Sequence, residues 1–297
     1  NMTNMFFNTS SLSDANKGLI ETSFSTNANW AAAGYDWSAF VQGDWVKVIA
    51  LDAAAGDMFG YIVSVSGNLL AVGAPQVDPN GKTNAGAAYL YRLEDNGSVT
   101  ELNKIVPPDL SAGDNFTGVV LSGDLLVVSA TNADEGAATD AGAAYVYRVE
   151  DNGSATQIDK LTLPGAATND RMGIIDISGD LILIGCYDPG NLPLSIKERA
   201  YLYRVEDNGT VTELSKLTVP GGGSTNDRFG TIAISGDTLI LGGYDPGGTY
   251  PQSNLEKVFV YRLEDNGTAT LINQLSPFQN TAWEAFGGND IAISDNI

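Results

Sequence analysis

Gly86-Ala87-Ala88-Tyr89-Leu90-Tyr91-Arg92-Leu93-Glu94-Asp95-Asn96-Gly97-Ser98 decides the fold, because the chain writes this stretch four times. It recurs from Gly142 to Ser154, with small changes from Ala200 to Thr210, and more loosely from Val258 to Thr268. In the first copy Ala87, Tyr89, Tyr91 and Leu93 alternate with Ala88, Leu90, Arg92 and Glu94, the two-residue period of a β-strand. Asp95-Asn96-Gly97 then ends the strand, and Asn-Gly suits a type I′ hairpin because both residues tolerate positive φ. The Asp-Asn-Gly triplets begin at Asp95, Asp151, Asp207 and Asp265, a spacing of 56 to 58 residues. Such a period is longer than that of solenoid repeats and falls among propeller blades.

A second marker keeps the same spacing: Ser66-Gly67-Asn68, Ser122-Gly123-Asp124, Ser178-Gly179-Asp180 and Ser235-Gly236-Asp237. A fifth copy starts as Ile291-Ala292-Ile293-Ser294-Asp295-Asn296. Between the two markers the first repeat divides into four strands, predicted over 61–66, 69–73, 87–94 and 99–105. The second is apolar throughout, as an inner strand buried on both faces should be. One four-stranded meander cannot bury both of its own faces, so copies must stack. The fold class is therefore all-β: a β-propeller of four-stranded blades, expected to have five.

The repeats lie near 57–112, 113–168, 169–225 and 226–283. The stretch from Ser38 to Ile49 reads as the third and fourth strands of a blade, and that from Phe286 to Ile297 as a first strand. A shared blade of 36–56 plus 284–297 would close the propeller, either within one chain or between subunits. Residues 1–35 stand outside the repeat and are rich in Asn, Ser and Thr, a non-repeat leader or assembly strand ahead of the propeller at 36–297.

Composition narrows the function. There is no histidine in the 297 residues, which removes imidazole as a base, the Ser-His-Asp and Cys-His pairs, and His-ligated zinc. The single cysteine, Cys186, allows no intrachain disulfide and lies in the apolar run 181–186, where a buried, inert thiol is expected. Net charge is −21, so phosphate backbones and anionic lipid are repelled and no nucleic-acid partner is expected. No apolar run approaches the length of a membrane helix, so no membrane span is expected.

The opening of each repeat resembles the FG-GAP repeat, the blade of the integrin α-subunit head and of many microbial surface proteins. The first blade carries both halves of the pattern, as Asp57-Met58-Phe59-Gly60 and Gly73-Ala74-Pro75. The first half persists as Asp114-Asn115-Phe116, Asp170-Arg171-Met172-Gly173, Asp227-Arg228-Phe229-Gly230 and Glu284-Ala285-Phe286-Gly287. The resemblance implies a propeller, an extracellular or cell-surface location, and partner binding through loops on one face. It also implies calcium, held between the first and second strands by an Asp-x-Asp-x-Asp-Gly loop. That loop is missing here: Ser-Gly-Asn or Ser-Gly-Asp cannot offer the six to eight oxygens calcium takes. No cofactor is expected, although the loops at Asp78-Pro79-Asn80-Gly81, Asp188-Pro189-Gly190 and Asp245-Pro246-Gly247 keep calcium open as an alternative to plain turns.

The acid ahead of each Phe-Gly (Asp57, Asp114, Asp170, Asp227, Glu284) repeats in every blade, which points to a backbone-bonding role and not to catalysis. No catalytic residue is assigned. Asn96, Asn115, Asn152, Asn208 and Asn266 stand in Asn-x-Ser/Thr sequons, although Asn-Gly is also what the hairpin needs. Tyr187, Tyr244, Tyr250 and Trp283 are candidates for a contact surface, since aromatics in loops suit protein or sugar binding. The leading functional reading is a non-catalytic structural or adhesive module that self-assembles into a filament or surface layer, its partner another copy or a surface protein or glycan. A monomeric glycan- or receptor-binding propeller is the alternative. An Asp/Glu-dependent glycan-active enzyme is the third.

Overall fold

The computed structural model describes residues 46–186, 199–218, 228–245, 255–275 and 291–293. The chain separates into two compact units, Asn1–Lys47 and Val48–Ile297, and all of the described regular structure lies in the second. Among the described residues sixteen strands form four blades there. The first holds β1 (Ile62–Ser66), β2 (Leu69–Ala74), β3 (Ala87–Leu93) and β4 (Val99–Ile105). The second holds β5 (Phe116–Ser122), β6 (Leu125–Ala130), β7 (Ala143–Val149) and β8 (Ala155–Leu161). The third holds β9 (Met172–Ser178), β10 (Leu181–Cys186), β11 (Arg199–Val205) and β12 (Val211–Thr218). The fourth holds β13 (Arg228–Ser235), β14 (Thr238–Asp245), β15 (Leu255–Leu263) and β16 (Ala269–Leu275). Each blade is an antiparallel meander in chain order, and the protein is an all-β propeller of four-stranded blades.

The turns follow from their glycines, though not all as expected. Gly67 joins β1 to β2 at a φ of 58°, with Ser66 opposite Leu69, which suits a two-residue type II′ turn. The Asp-Asn-Gly hairpin is not type I′. Of its residues only Gly97 has positive φ, while the Gly97 amide donates to the Glu94 carbonyl and the Glu94 amide to the Ser98 carbonyl. This is a three-residue loop, a tight turn followed by a left-handed glycine, and it recurs at Gly153, Gly209 and Gly267.

Each fourth strand also carries a bulge that the alternation did not reveal. Leu90 faces Asn103 and Tyr91 faces Glu101, leaving Leu102 as the extra residue. Ile158, Leu214 and Ile272 occupy the same place in the later blades. A bulge twists the strand and re-aims one side chain. The re-aimed Leu102 lies beneath Gly153 in the second blade's hairpin, and Leu214 lies beneath Gly267 in the fourth.

Three cores lie between blades, as self-similar meanders require, and a further cluster joins Val72, Ala74, Tyr89 and Tyr91 of the first blade to Ala50. One joins Ala71, Ala88 and Leu90 of the first blade to Val119, Leu126 and Tyr145 of the second. The next joins Val127 and Val146 to Ile177, Ile182 and Tyr203, and a third joins Leu183 and Leu202 to Ile232, Leu241 and Phe259. Cys186, at the end of β10, is buried in the second of these.

Polar bonds fix the register of the stacking. The Ser66 hydroxyl accepts from the Gly123 amide at 2.9 Å, Ser122 from Gly179 at 3.0 Å, and Ser178 from Gly236 at 2.9 Å. The serine of one Ser-Gly turn thus holds the glycine of the next. On the other side of the stack, Gly86 bridges to Phe116 and Gly142 to Met172. A Cβ on Gly86 would sit 2.5 Å from the Phe116 carbonyl oxygen, and one on Gly142 2.4 Å from that of Met172. Only glycine allows this approach, and both residues also have φ above 80°.

Little of the fifth blade falls among the described residues. Residues 36–45, 284–290 and 294–297 lie outside them, while Val46–Ala50 and Ile291–Ile293 carry no strand assignment. The strand expected to end at Ile49 is therefore not seen in its described part.

Candidate functional site: the loop face of the first two blades

In the first two blades the connection that enters the blade and the loop between its second and third strands come together, as the Gln76 amide on the Asp57 carbonyl and the Asn132 amide on the Asp114 carbonyl show. At the first blade they enclose an open, polar cleft of about 410 Å³ lined by Asp52, Asp57, Gln76, Asp78, Asn84 and Lys104, among others.

Its back wall is a pinned triad. Tyr89 projects from β3 and its hydroxyl donates to Asp52 Oδ1 at 2.9 Å. Lys104, from the neighbouring strand β4, pairs with Asp52 Oδ2, and its ammonium stands 5.3 Å from the centre of the Tyr89 ring. Burial pushes the Asp52 carboxyl up, but the bonds from Lys104 and Tyr89 outweigh it, and the group rests below its ordinary value. Phe59, of the Phe-Gly pair, packs edge-on against Tyr89 at 5.4 Å and Tyr91 at 6.1 Å.

The second blade repeats the arrangement. Tyr145 donates to Asp109 Oδ2 at 3.2 Å, Lys160 pairs with that oxygen at 2.7 Å, and Phe116 meets the Tyr145 ring edge-on at 5.4 Å. In the third, Lys216 still covers Tyr201 at 5.5 Å, but Gly165 stands where the aspartate was. The fourth has Phe259 and Gln274 in place of tyrosine and lysine. The triad is thus graded along the chain.

The repeated acids bond backbone. Asp57 Oδ2 accepts from the Ala54 amide at 2.7 Å, Asp114 from Ser111 at 2.6 Å, and Asp170 from Ala167 at 2.7 Å. Burial of Asp114 pushes its carboxyl up. Asp227 and Glu284 lie outside the described residues. The loops between second and third strands are braced in the same way: Asp78 Oδ1 accepts from the Asn84 amide at 2.8 Å and Asp134 from Asp140 at 3.0 Å. A single turn of 3-10 helix, Pro79–Gly81, forms the Asp-Pro-Asn-Gly corner.

The turn between β1 and β2 has two residues, too few to wrap an ion with six oxygens. Among the described residues no three His, Cys, Asp or Glu side chains converge as metal ligands.

The four hairpin sequons share one geometry. Asn96 Oδ1 accepts from the Ser98 amide at 2.9 Å and hydroxyl at 2.7 Å, Asn152 does the same with Ser154, and Asn208 and Asn266 hold the amides of Thr210 and Thr268. All four asparagines are exposed. Each asparagine thus does structural work through its oxygen at a place where a glycan would fit. Asn115 differs: it is half-buried in the turn that opens the second blade, with a φ of 60°. Of the contact-surface candidates, Tyr187, Tyr250 and Trp283 lie outside the described residues. Tyr244 lies on β14, its backbone opposite Arg228 and Glu256.

The Asp–Tyr–Lys triad escaped the sequence reading, although the signal was present. Tyr89 and Lys104 keep a fixed offset from Tyr145 and Lys160, and Asp52 and Asp109 stand ahead of them at spacings that differ by one residue. Only the observed pairing of β3 with β4, which sets Tyr89 opposite Lys104, ties the three together.

A protein from Lactobacillus plantarum, solved by crystallography, aligns with a TM-score of 0.45 at 16% identity, over 70% of this chain and 54% of that one. This chain thus spans about half of that protein's length. No curated protein matches the chain. Residues 43–91 and 99–147 match the FG-GAP repeat, the first stretch ending in β3 and the second running from β4 into β7. Two FG-GAP repeats thus lie within residues 43–147 of the chain.

Proposed function

We propose that this chain is a non-catalytic structural or adhesive module that works outside the cell and assembles with copies of itself. The observation that carries the reading is the occupation of the loop-face acids. Asp52 and Asp109 are held by lysine and tyrosine, and Asp57, Asp114 and Asp170 by backbone amides. A glycan-active pair needs two carboxylates in unlike surroundings facing one bond. Here the acids stand at equivalent places in successive blades. FG-GAP repeats are typical of surface proteins, the absence of histidine removes the commonest catalytic base, and the acidic surface suits a soluble exterior. No helix among the described residues is long and apolar enough to cross a membrane.

The open polar cleft at the first blade favours a second reading, a glycan- or receptor-binding head, since carbohydrate is taken by shallow surfaces with many hydrogen-bonding groups. A panel of immobilised glycans and matrix proteins, read for both binding and turnover, tests both. Binding without turnover is expected. Hydrolysis of any glycan that is lost on replacing one carboxylate would overturn the non-catalytic reading.

A further inference from the structure

Among the described residues, blade-to-blade packing leaves one face of β1 exposed. Ser64 on β1 accepts from the Leu121 amide of the second blade at 2.9 Å, so alternation turns Val63 and Val65 the other way. Their counterparts on β5, Val119 and Leu121, are 2% and 6% exposed, because the first blade covers them. Val63 and Val65 are 59% and 58% exposed, and Tyr61 beside them is 60% exposed. Two adjacent valines and a tyrosine form an apolar strip of the kind that marks an interaction site.

The same chain carries the matching half. Ile291-Ala292-Ile293 repeats Ile232-Ala233-Ile234 of β13. Ala233 is buried, yet Ala292 is exposed. The register in which such faces meet is seen twice. Ser64 reaches the Leu121 amide, and Asp176 Oδ2, at the equivalent place on β9, accepts from the Ile234 amide at 2.8 Å. Carried one step further, that register sets Ala292 opposite Val65.

We propose that the uncovered face of β1 is the docking surface for the Ile291-Ala292-Ile293 segment of a second copy, so that chains join head to tail. The interface continues the three already formed between successive blades. Both halves stand open in one chain, and because they are different surfaces the contact is heterologous and propagates. The inference rests on the reading of the chain as a self-assembling module and adds the surface by which it does so.

Val65→Cys and Ala292→Cys test it, with buried Cys186 left in place and each single variant as its control. Oxidation of the double variant is expected to give a ladder of covalent multimers on a non-reducing gel. A mixture of the two single variants should give covalent dimers and nothing larger, and each single variant alone should give neither. A bond formed within one chain would mean that the chain covers its own face, and no bond at all would mean that the surfaces do not meet; either overturns the proposal. Light scattering on the unaltered chain separates the two levels. Multimers without the Val65–Ala292 bond leave self-assembly standing and remove this surface, whereas a strict monomer removes both.

Discussion

Asp109 sits where the first blade hands over to the second, with its carboxylate 2.7 Å from the Lys160 ammonium and 3.2 Å from the Tyr145 hydroxyl. Burial alone would raise its pKa, but the lysine bond and charge, with help from Tyr145, hold it below the ordinary carboxylate range. A depressed folded-state value means a contribution that is full above the unfolded value, near 3.9, and fades as pH falls through the folded one. In a double-mutant cycle of Asp109→Asn and Lys160→Met, read by urea unfolding, the coupling near neutral pH should be about 0.2–1 kcal/mol, since both partners are partly solvated. Near pH 2 it should vanish. A coupling unchanged in acid would show that packing of the lysine stem over the Tyr145 ring, and not the ion pair, joins the two strands. Asp114, five residues on, behaves oppositely. Burial raises its value, so its ionised form works against folding and acid relieves it.

Between blades, a close backbone approach matters more than any ion pair. Gly142 lies against the backbone of Met172 in the next blade, at a φ of 81°. Gly179, on the turn between β9 and β10, has a φ of 60° but open space around it. Gly179→Ala should therefore cost only the left-handed conformation, roughly 1–2 kcal/mol. Gly142→Ala adds a collision with main chain that cannot yield without separating the blades, so it should cost clearly more, about 3 kcal/mol or above. Equal losses in thermal or urea unfolding would mean that this clasp does not hold the stack. The contrast also marks where sequence reading succeeds. Strand positions were legible, because Tyr89 and Leu90 alternate cleanly and Ser66-Gly67 punctuates them; the observed β4, Val99–Ile105, has the predicted ends. The bulge at Leu102 was not legible, since a leucine in a strand looks the same whether it pairs or protrudes. Nor was the form of the hairpin. Asn-Gly serves a type I′ turn and a left-handed glycine loop equally well, and the extra residue, Asp95, decides between them only once Glu94 is seen bonded to Ser98.

Across the whole molecule the third strands carry a layer of buried tyrosines, and their titration tests whether the blades stand or fall together. Burial is the largest cause raising the hydroxyl pKa of Tyr89, Tyr91, Tyr145, Tyr147, Tyr203 and Tyr261, the last from 10.0 to about 12. Nearby carboxylates add to it at Tyr89, Tyr91 and Tyr145. A raised folded-state value gives stability that is complete below the unfolded value near 10 and is lost as pH climbs through the folded ones, because only the unfolded chain can ionise freely. All six groups act in the same direction, so the loss should be steep above about pH 10. Three cores are shared between neighbouring blades, from Leu90 with Leu126 to Leu202 with Phe259, and so each of those interiors is broken once a neighbour opens. Tyrosinate absorbance and far-ultraviolet circular dichroism should therefore change together in a single alkaline transition. Tyrosinate appearing near pH 10 while the dichroism stays native would place these hydroxyls in water. Two separated dichroism steps would mean that pairs of blades hold themselves folded, and the shared cores would then be weaker than the hydrogen-bonded sheets they join.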